Sequence, residues 1–366
     1  MPKYRNLVLL AQKYFFAKEP QKAIEFAQRS LKIKSNNSYI YDILAESYML
    51  IGDETNAKIA GVYALQLKEM QNSKYHKYPY PSTPIKPFNR KNKSQNIISF
   101  SLFGDNPKYC ENAIINATLA PTLYPSWKCR FYCDTKVPKD VIKRLQKYNV
   151  EIILKATPKD RSEMFLWRFL VMGDQKVERY IVRDCDAVIN TKESRAVEEW
   201  IASGKRFHIM RDFYTHTDLI LAGMFGGTTD IFPNIKEMIR HFNRTKQRNR
   251  SHQDQLFLRE YVWETIKSDC LIHDSHFRYG STKPFPPHPP QPKAHHVGKN
   301  EGAVEIRVKP AKRVNKEQIR WGIYDKQGVL ICAYSSKIVE GVWKSHIPMA
   351  YSLKIAKREY FIRSNI

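Results

Sequence analysis

The chain has 366 residues, 42% hydrophobic and 27% charged, which supplies a sizeable core, excludes wholesale disorder and suggests two or three domains. Lys and Arg number 61 against 36 Asp and Glu, a net charge of +25 that favours polyanions: nucleic acid, an anionic membrane face or phosphorylated substrates. Six cysteines with no C-x-x-C pair point to reduced thiols in a cytosolic protein, and no apolar run approaches the ~18 residues of a membrane span.

The first stretch, MPKYRNLVLLAQKYFF, has no small-residue cleavage site and reads as an amphipathic helix. A shift of 34 residues aligns large with large and small with small: Leu7/Tyr41, Leu10/Leu44, Ala11/Ala45, Tyr14/Tyr48, Ala23/Ala57, Ala27/Gly61 and Ser30/Ala64. This period resembles tetratricopeptide repeats over residues 1–72, with an ordinary pair of helical hairpins as the alternative. Two such repeats are too few to stand alone, so they are expected to lean on another domain or on a second chain through self-association. Residues 73–95, rich in proline and basic side chains, read as a solvated tether that can also touch an anionic surface.

From Asn96 strands alternate with helices. NIISFSLFG is a strand, ENAIINATLAP a helix stopped by Pro121, CRFYCD a strand and PKDVIKRLQKY a helix. VEIILK is a strand, SEMFLWRFLVMGD a helix, YIVRDCD a strand, ESRAVEEWIASG a helix ended by Gly204, and RFHIM a strand. The alternation predicts an α/β sheet with a largely parallel core, whose ligands sit beyond the carboxyl ends of the strands. Residues 284–292, PFPPHPPQP, predict an extended loop. After it VEIRVKP, IRWGIYD and VLICAYSS predict a small β-rich segment over 303–366, with a hairpin at DKQG.

Asp184 and Asp186 stand at the end of YIVR. Two carboxylates two residues apart can share a divalent cation such as Mg²⁺ or Mn²⁺ together with a diphosphate; the alternative is a polar turn. Cys185, between them, is expected to face the other way and to tolerate serine. In HHVGK, His296 can be a third metal ligand, Gly298 admits a phosphate to the backbone and Lys299 neutralises it. Asp254, in SHQDQLFL beside Gln255, is either a helix-start carboxylate or one that positions or deprotonates an acceptor hydroxyl. In LAGMFGG, Gly223, Gly226 and Gly227 can let main chain approach a sugar ring, or form a plain turn. Arg211 and Asp212 end another strand, and Arg168 either reaches phosphate or makes a structural ion pair.

Taken together, DCD, LAGMFGG, HQDQLFL and HHVGK make residues 96–302 resemble a GT-A type glycosyltransferase, a Rossmann-like nucleotide-diphospho-sugar transferase of the glycogenin-like kind. The resemblance implies a nucleotide-sugar donor, UDP-linked, and Mn²⁺ or Mg²⁺ held by Asp184, Asp186 and His296. It implies that Asp184 and Asp186 also contact the ribose, that Lys299 holds the diphosphate, and that the front strand ISFSLFG and the strand ending at Asp134 seat the nucleoside. Gly223, Gly226, Arg211, Asp212, Asp254 and Gln255 would line the sugar and acceptor side. That family ends in a longer H-x-G-x-x-K-P-W pattern, whereas here Lys299 follows Gly298 directly. Retention or inversion of the anomeric centre stays open.

The resulting expectation is a hexosyltransferase acting on a glycan or glycolipid hydroxyl, cytoplasmic or peripheral at the inner membrane face. The competing readings are a non-catalytic tetratricopeptide adaptor and a nucleic-acid binder. The second is prompted by RHFNRTKQRNRSH at 240–252, a run without a nucleic-acid motif.

Overall fold

The computed structural model describes residues 2–72, 77–245, 252–292, 295–302, 304–308 and 318–364. It begins with helices α1 (Pro2–Phe16), α2 (Pro20–Leu31), α3 (Ser38–Leu50) and α4 (Glu54–Asn72). Then come β1 (Asn96–Leu102), α5 (Pro107–Leu123), β2 (Lys128–Asp134), α6 (Lys139–Gln146), β3 (Glu151–Lys155) and β4 (Arg179–Arg183). They are followed by α7 (Thr191–Ser203), β5 (Phe207–Arg211), β6 (Phe225–Thr228), α8 (Ile235–Thr245), α9 (Gln253–Tyr261), α10 (Trp263–Ile266) and β7 (Cys270–Asp274). The chain closes with β8 (Val304–Val308), β9 (Gln318–Asp325), β10 (Leu330–Val339), β11 (Val342–Ile347), α11 (Met349–Ala356) and β12 (Tyr360–Ser364). The architecture is mixed α/β with a helical N-terminal part. Two compact units emerge, each assembled from separate stretches of chain.

One unit takes the chain through Phe88, Phe169–Val182 and Asn190–Val297. Its first helices pack in order, α1 on α2, α2 on α3 and α3 on α4. The small residues aligned by the 34-residue shift lie at these seams: Ala11, Ala23, Ala27, Ala45, Ala57 and Ala64 are each 0% exposed. A Cβ on Gly61 would come within 2.0 Å of the Phe277 ring, so that site admits glycine only. The helices do lean on a neighbour, the α/β part of their own unit. Tyr279 donates to Glu69 Oε2 at 2.6 Å and Lys68 Nζ to the Thr217 carbonyl at 2.8 Å.

The proline-rich stretch is not a solvated tether where it is described. Tyr78 N donates to Thr265 Oγ1 at 3.0 Å, Arg206 to the Thr83 carbonyl at 2.9 Å and Arg179 to the Lys86 carbonyl at 2.7 Å. Proline removes its own amide but leaves every carbonyl free to accept, and buried arginines exploit this. Residues 73–76 lie outside the described residues, as do 246–251 of the basic run and 309–317 beyond β8.

In the same unit β6 runs antiparallel to both β4 and β5, and β5 pairs parallel with β7. The strands β4, β5 and β7 therefore point one way. Across β5 and β7, His208 and His273 share a hydrogen bond of 2.8 Å, and His273 Nε2 lies 3.1 Å from Glu199 on α7. Burial lowers the His273 pKa against the opposing pull of Glu199. The unfolded chain thus takes up a proton near pH ~6.5 that the folded one resists, and stability falls as pH drops below that value. Thermal melts at pH 7.5 and 5.5 should show the loss, at up to ~1.4 kcal/mol per pH unit for one group, and His273→Gln should flatten the slope. An unchanged slope in the variant would place the acid sensitivity elsewhere.

The second unit takes Asn89–Arg168, Arg183–Ile189 and the chain from Gly298 onward. Its strands β1, β2 and β3 are parallel, β2 between the other two, and Phe100 and Phe131 stack across them at 4.7 Å. Pro121 lies inside the last turn of α5 rather than stopping it. So near a helix end a proline removes only one bond. The segment SEMFLWRFLVMG, expected as an α-helix, is a 3₁₀ stretch over Arg161–Gly173. Met164, Leu166, Trp167, Phe169, Val171 and Met172 are all buried, so both i,i+3 and i,i+4 faces are filled and packing selects the tighter coil.

The C-terminal part forms a five-stranded antiparallel sheet in the order β12-β9-β10-β11-β8. The expected hairpin joins β9 and β10, with Gly328 at φ 80° in its turn. Trp321 and Trp343, both 0% exposed, stack at 5.0 Å in its core.

Candidate active site

The first group of candidate residues lies in the unit that holds 183–189. Past β4, Asp184 pairs with the Arg168 guanidinium, and Asp186 lies 2.9 Å from Lys108 Nζ in the first turn of α5. Burial, and then the nearby charge of Asp184, raise the Asp186 pKa even though Lys108 opposes them. Asn116 of α5 holds the turn: its amide donates to the Ala187 carbonyl at 3.0 Å and its oxygen accepts from Ile189 N at 2.9 Å.

The far end of HHVGK comes back to this turn. Ala187 and Asn300 form an antiparallel bridge, and Glu301 N donates to the Asp186 carbonyl at 2.7 Å. Lys299 therefore immediately precedes the residue paired with the DCD segment. Gly298, at φ 79°, makes the turn into it. At Gly302 a Cβ would sit 2.3 Å from Lys108 Cγ, so the returning segment packs closely on the lysine that meets Asp186.

Cys185 is 4% exposed, its thiol donates to the Ser101 carbonyl at 3.2 Å, and burial pushes its pKa well up. A serine hydroxyl can make the same bond. Cys185→Ser should therefore keep stability within ~1.5 kcal/mol, read from the melting midpoint. A deeper loss would show that this buried position does not accept a hydroxyl.

Asp134, at the end of β2, is 1% exposed and already saturated. Its oxygens accept from Gly104 N at 3.0 Å, Lys136 N at 3.1 Å and Thr157 Oγ1 at 3.1 Å. Those donors follow β1, β2 and β3, so Asp134 ties together the three loops at the carboxyl edge. In the structure it is a latch for these loops. Arg168 likewise serves Asp184 through an ion pair and is 3% exposed, rather than reaching out for a phosphate.

The second group lies in the other unit. Arg211, expected at an acceptor, is 0% exposed. It is spent on Asp274 at 2.9 Å and on the Leu219 carbonyl at 3.1 Å, which makes it a structural cation. Asp212 is 3% exposed, with Lys192 Nζ at 2.5 Å and Val297 N donating to its other oxygen at 2.8 Å. Asp212 thereby fixes His296-Val297, while His296 stacks on Phe213 at 4.1 Å. Asp212 N donates to His216 Nδ1 at 2.8 Å, and burial, then His296 and His276, lower the His216 pKa well below its usual value.

Gly226 and Gly227 are strand residues of β6, not a sugar platform. A Cβ on Gly226 would meet the Tyr180 carbonyl at 2.6 Å, and one on Gly227 the Phe207 ring at 2.5 Å. Gly223 is buried in the turn before that strand. Asp254 is the second residue of α9, half-buried, and accepts from Gln255 N at 2.9 Å; helix-start amides favour a negative charge there.

The carboxylate pair is chemically suited to a hard divalent cation: two oxygen donors whose mutual repulsion is partly relieved by Arg168 and Lys108. Among the described residues no group of three or more His, Cys, Asp or Glu side chains stands together as a ligand set. An ion here would complete its shell with water and diphosphate oxygens, as Mg²⁺ and Mn²⁺ commonly do. Lys108, Asn116, Lys192 and His216 were not among the expected residues. Only Lys108 carries a local signal, its place in the βα turn after a strand-and-glycine run.

No protein-family model matches the chain, and no curated protein matches it in sequence. Several solved glycosyltransferase structures are similar to parts of it. A galactosyltransferase LgtC in complex with donor and acceptor sugar analogs has 12% identity and a TM-score of 0.34, covering 49% of this chain and 73% of its own. Core-mannan synthase A from Aspergillus fumigatus, in an Mn/GDP form, has 8% identity and a TM-score of 0.32, covering 62% of this chain and 86% of its own. An O-GlcNAc transferase mutant from Thermobaculum terrenum has 14% identity and a TM-score of 0.26 over 50% of this chain, which spans only 40% of that protein's length.

Proposed function

We propose that the protein is a metal-dependent glycosyltransferase that moves a hexose from a nucleotide diphospho-sugar, UDP-linked, to a hydroxyl of a glycan or glycolipid. The observation that carries this reading is the pairing of the Asp184–Ala187 turn with the Lys299–Glu301 segment through the Ala187–Asn300 bridge. It puts two mutually repelling carboxylates and a phosphate-type lysine segment, more than a hundred residues apart in sequence, into one place. In this reading residues 1–72 are a tetratricopeptide-like module, 73–95 a connecting strap, 96–302 the GT-A domain and 303–366 a β-rich appendage.

Asp184 and Asp186 would hold Mn²⁺ or Mg²⁺, which when bound neutralises charge developing on the leaving diphosphate. Lys108 and Lys299 bring positive charge to the same diphosphate. Arg168 orients Asp184, and Asp134 fixes the loops that seat the nucleoside. Asp254 takes the acceptor proton or orients the acceptor hydroxyl, with Gln255 and Gly223 on the acceptor side. Among the described residues no helix is long and apolar enough to cross a membrane. The charge of +25 suits a peripheral place at an anionic membrane face on the cytoplasmic side.

The test is hydrolysis of a panel of nucleotide sugars with Mn²⁺, repeated after chelation, with UDP binding followed by calorimetry. Hydrolysis of a UDP-sugar that chelation stops is the expected result. Silence across the panel would sink the transferase reading, and UDP affinity indifferent to chelation would sink the metal site.

A further inference from the structure

Within the unit that contains the first four helices, a cleft of about 650 Å³ lies between α1 and α3 on one side and the 215–218 loop and α9 on the other. That volume is typical of a small-ligand site. One wall is aromatic: Phe16 is 67% and Tyr39 39% exposed, and Phe15 stands beside them. The opposite character comes from Asp42 and Glu46 of α3, Asp218 of the loop and Gln255 of α9, all lining the same space.

The carboxylates are fixed from behind. Lys68 is 4% exposed, with Nζ 2.9 Å from Asp42 and 3.5 Å from Asp218, and it also donates to the Thr217 carbonyl at 2.8 Å. Arg259 lies 3.5 Å from Asp218. A carboxylate has about four acceptor sites, so anchoring one or two leaves others directed at the cleft. Three carboxylates against two cations line it, in a chain whose net charge is +25. A polyanion gains nothing from such a lining, and a purely apolar ligand would strip water from the carboxylates without replacing it. The ligand that satisfies both walls has an apolar ring face and a hydroxyl-bearing edge.

We propose that this cleft is a sugar-binding subsite and that it takes uncharged sugar residues of the acceptor, their ring faces on Tyr39 and Phe16 and their hydroxyls on Glu46, Asp218 and Gln255. This rests on the transferase reading and specifies its acceptor: the stretch of glycan entering here is neutral, whatever charge the rest of that molecule carries. Gln255 reaches the cleft from the first turn of α9, the helix whose second residue is Asp254.

The test uses the full chain without donor. Saturation-transfer NMR and calorimetry are run with lactose, maltose, cellobiose and mannobiose, with glucose 6-phosphate as the anionic probe and a lysine oligomer as the cationic one. At least one neutral disaccharide should bind and outcompete both charged probes. Tyr39→Ala and Glu46→Gln should each weaken it about tenfold, near the upper range for one aromatic or one charge-assisted contact, with the melting midpoint unchanged. No disaccharide binding, affinity indifferent to both variants, or tighter binding of a charged probe at this cleft would overturn the proposal. Donor hydrolysis without any disaccharide binding sinks the cleft alone. Disaccharide binding lost in the two variants, without hydrolysis of any nucleotide sugar, upholds the cleft as a sugar site and sinks the transferase reading.

Discussion

Replacing Asp186 by alanine is expected to abolish Mn²⁺-dependent UDP binding and to lower donor turnover by about a thousandfold, while leaving the melting midpoint unchanged or higher. The two halves of that result come from one observation. A carboxylate kept for stability gains partners on folding and has its pKa depressed. Asp186 does the reverse: burial and then the Asp184 charge raise it, and Lys108 only partly offsets them. With the folded-state pKa above the unfolded one, the stability tied to this group is present at low pH and is lost as pH rises through the shifted value. At neutral pH the ionised side chain therefore works against the fold. Removing it relieves that cost, as the proposed role of Asp186 as a metal ligand predicts. Asp186→Asn provides the control for shape. If either variant lowers the midpoint by several degrees and keeps UDP affinity, Asp186 belongs to a structural polar turn and the metal proposal falls.

The strands around this turn were legible because each carries its own signal. NIISFSL, KCRFYCD and RYIVR are short apolar runs closed by polar residues, and a strand needs little more. The 34-residue alignment located the buried small residues of the helical part for the same reason: close approach of two helices demands a small side chain at each crossing. What the sequence did not disclose were commitments made across the chain. Arg211 looks like a strand-end cation, yet Asp274, sixty-three positions later, neutralises it inside the core. Gly226 and Gly227 look like a loop, yet they are glycines because Tyr180 and the Phe207 ring occupy the space of a side chain. Cys270–Asp274 went unseen as a strand because CLIHD is short and mixes polar with apolar residues, and its pairing with β5 supplies what the sequence lacks. Lys299 ran the other way. Its motif departs from the expected pattern, but the Asn300 bridge to Ala187 puts it beside the acidic turn regardless of spacing.

The C-terminal appendage carries the largest expected effect on stability. Glu111→Ala should cost about 3–5 kcal/mol and lower the melting midpoint by roughly 10 °C. Glu111 lies on α5 at 0% exposure. Arg144 of α6 grips it with two bonds of 2.8 and 2.6 Å, Tyr334 of β10 donates to it at 2.5 Å and Tyr351 of α11 at 2.8 Å. Burial, and then the Glu111 charge, push both tyrosine hydroxyls far above their usual pKa, so each remains a donor in search of an acceptor. Alanine would leave a largely buried guanidinium and two buried hydroxyls without that acceptor, and the desolvation already incurred would go uncompensated. Glutamine should recover only part of the loss, since its amide turns a donor toward a site built wholly of donors. Because Tyr334 and Tyr351 belong to the C-terminal segment, limited proteolysis of the alanine variant should cut within 318–364 before it cuts β1–β3. A variant that melts like the parent, or that is first cleaved in the parallel strands, would show that the appendage is held by its aromatic contacts and that the buried carboxylate is dispensable.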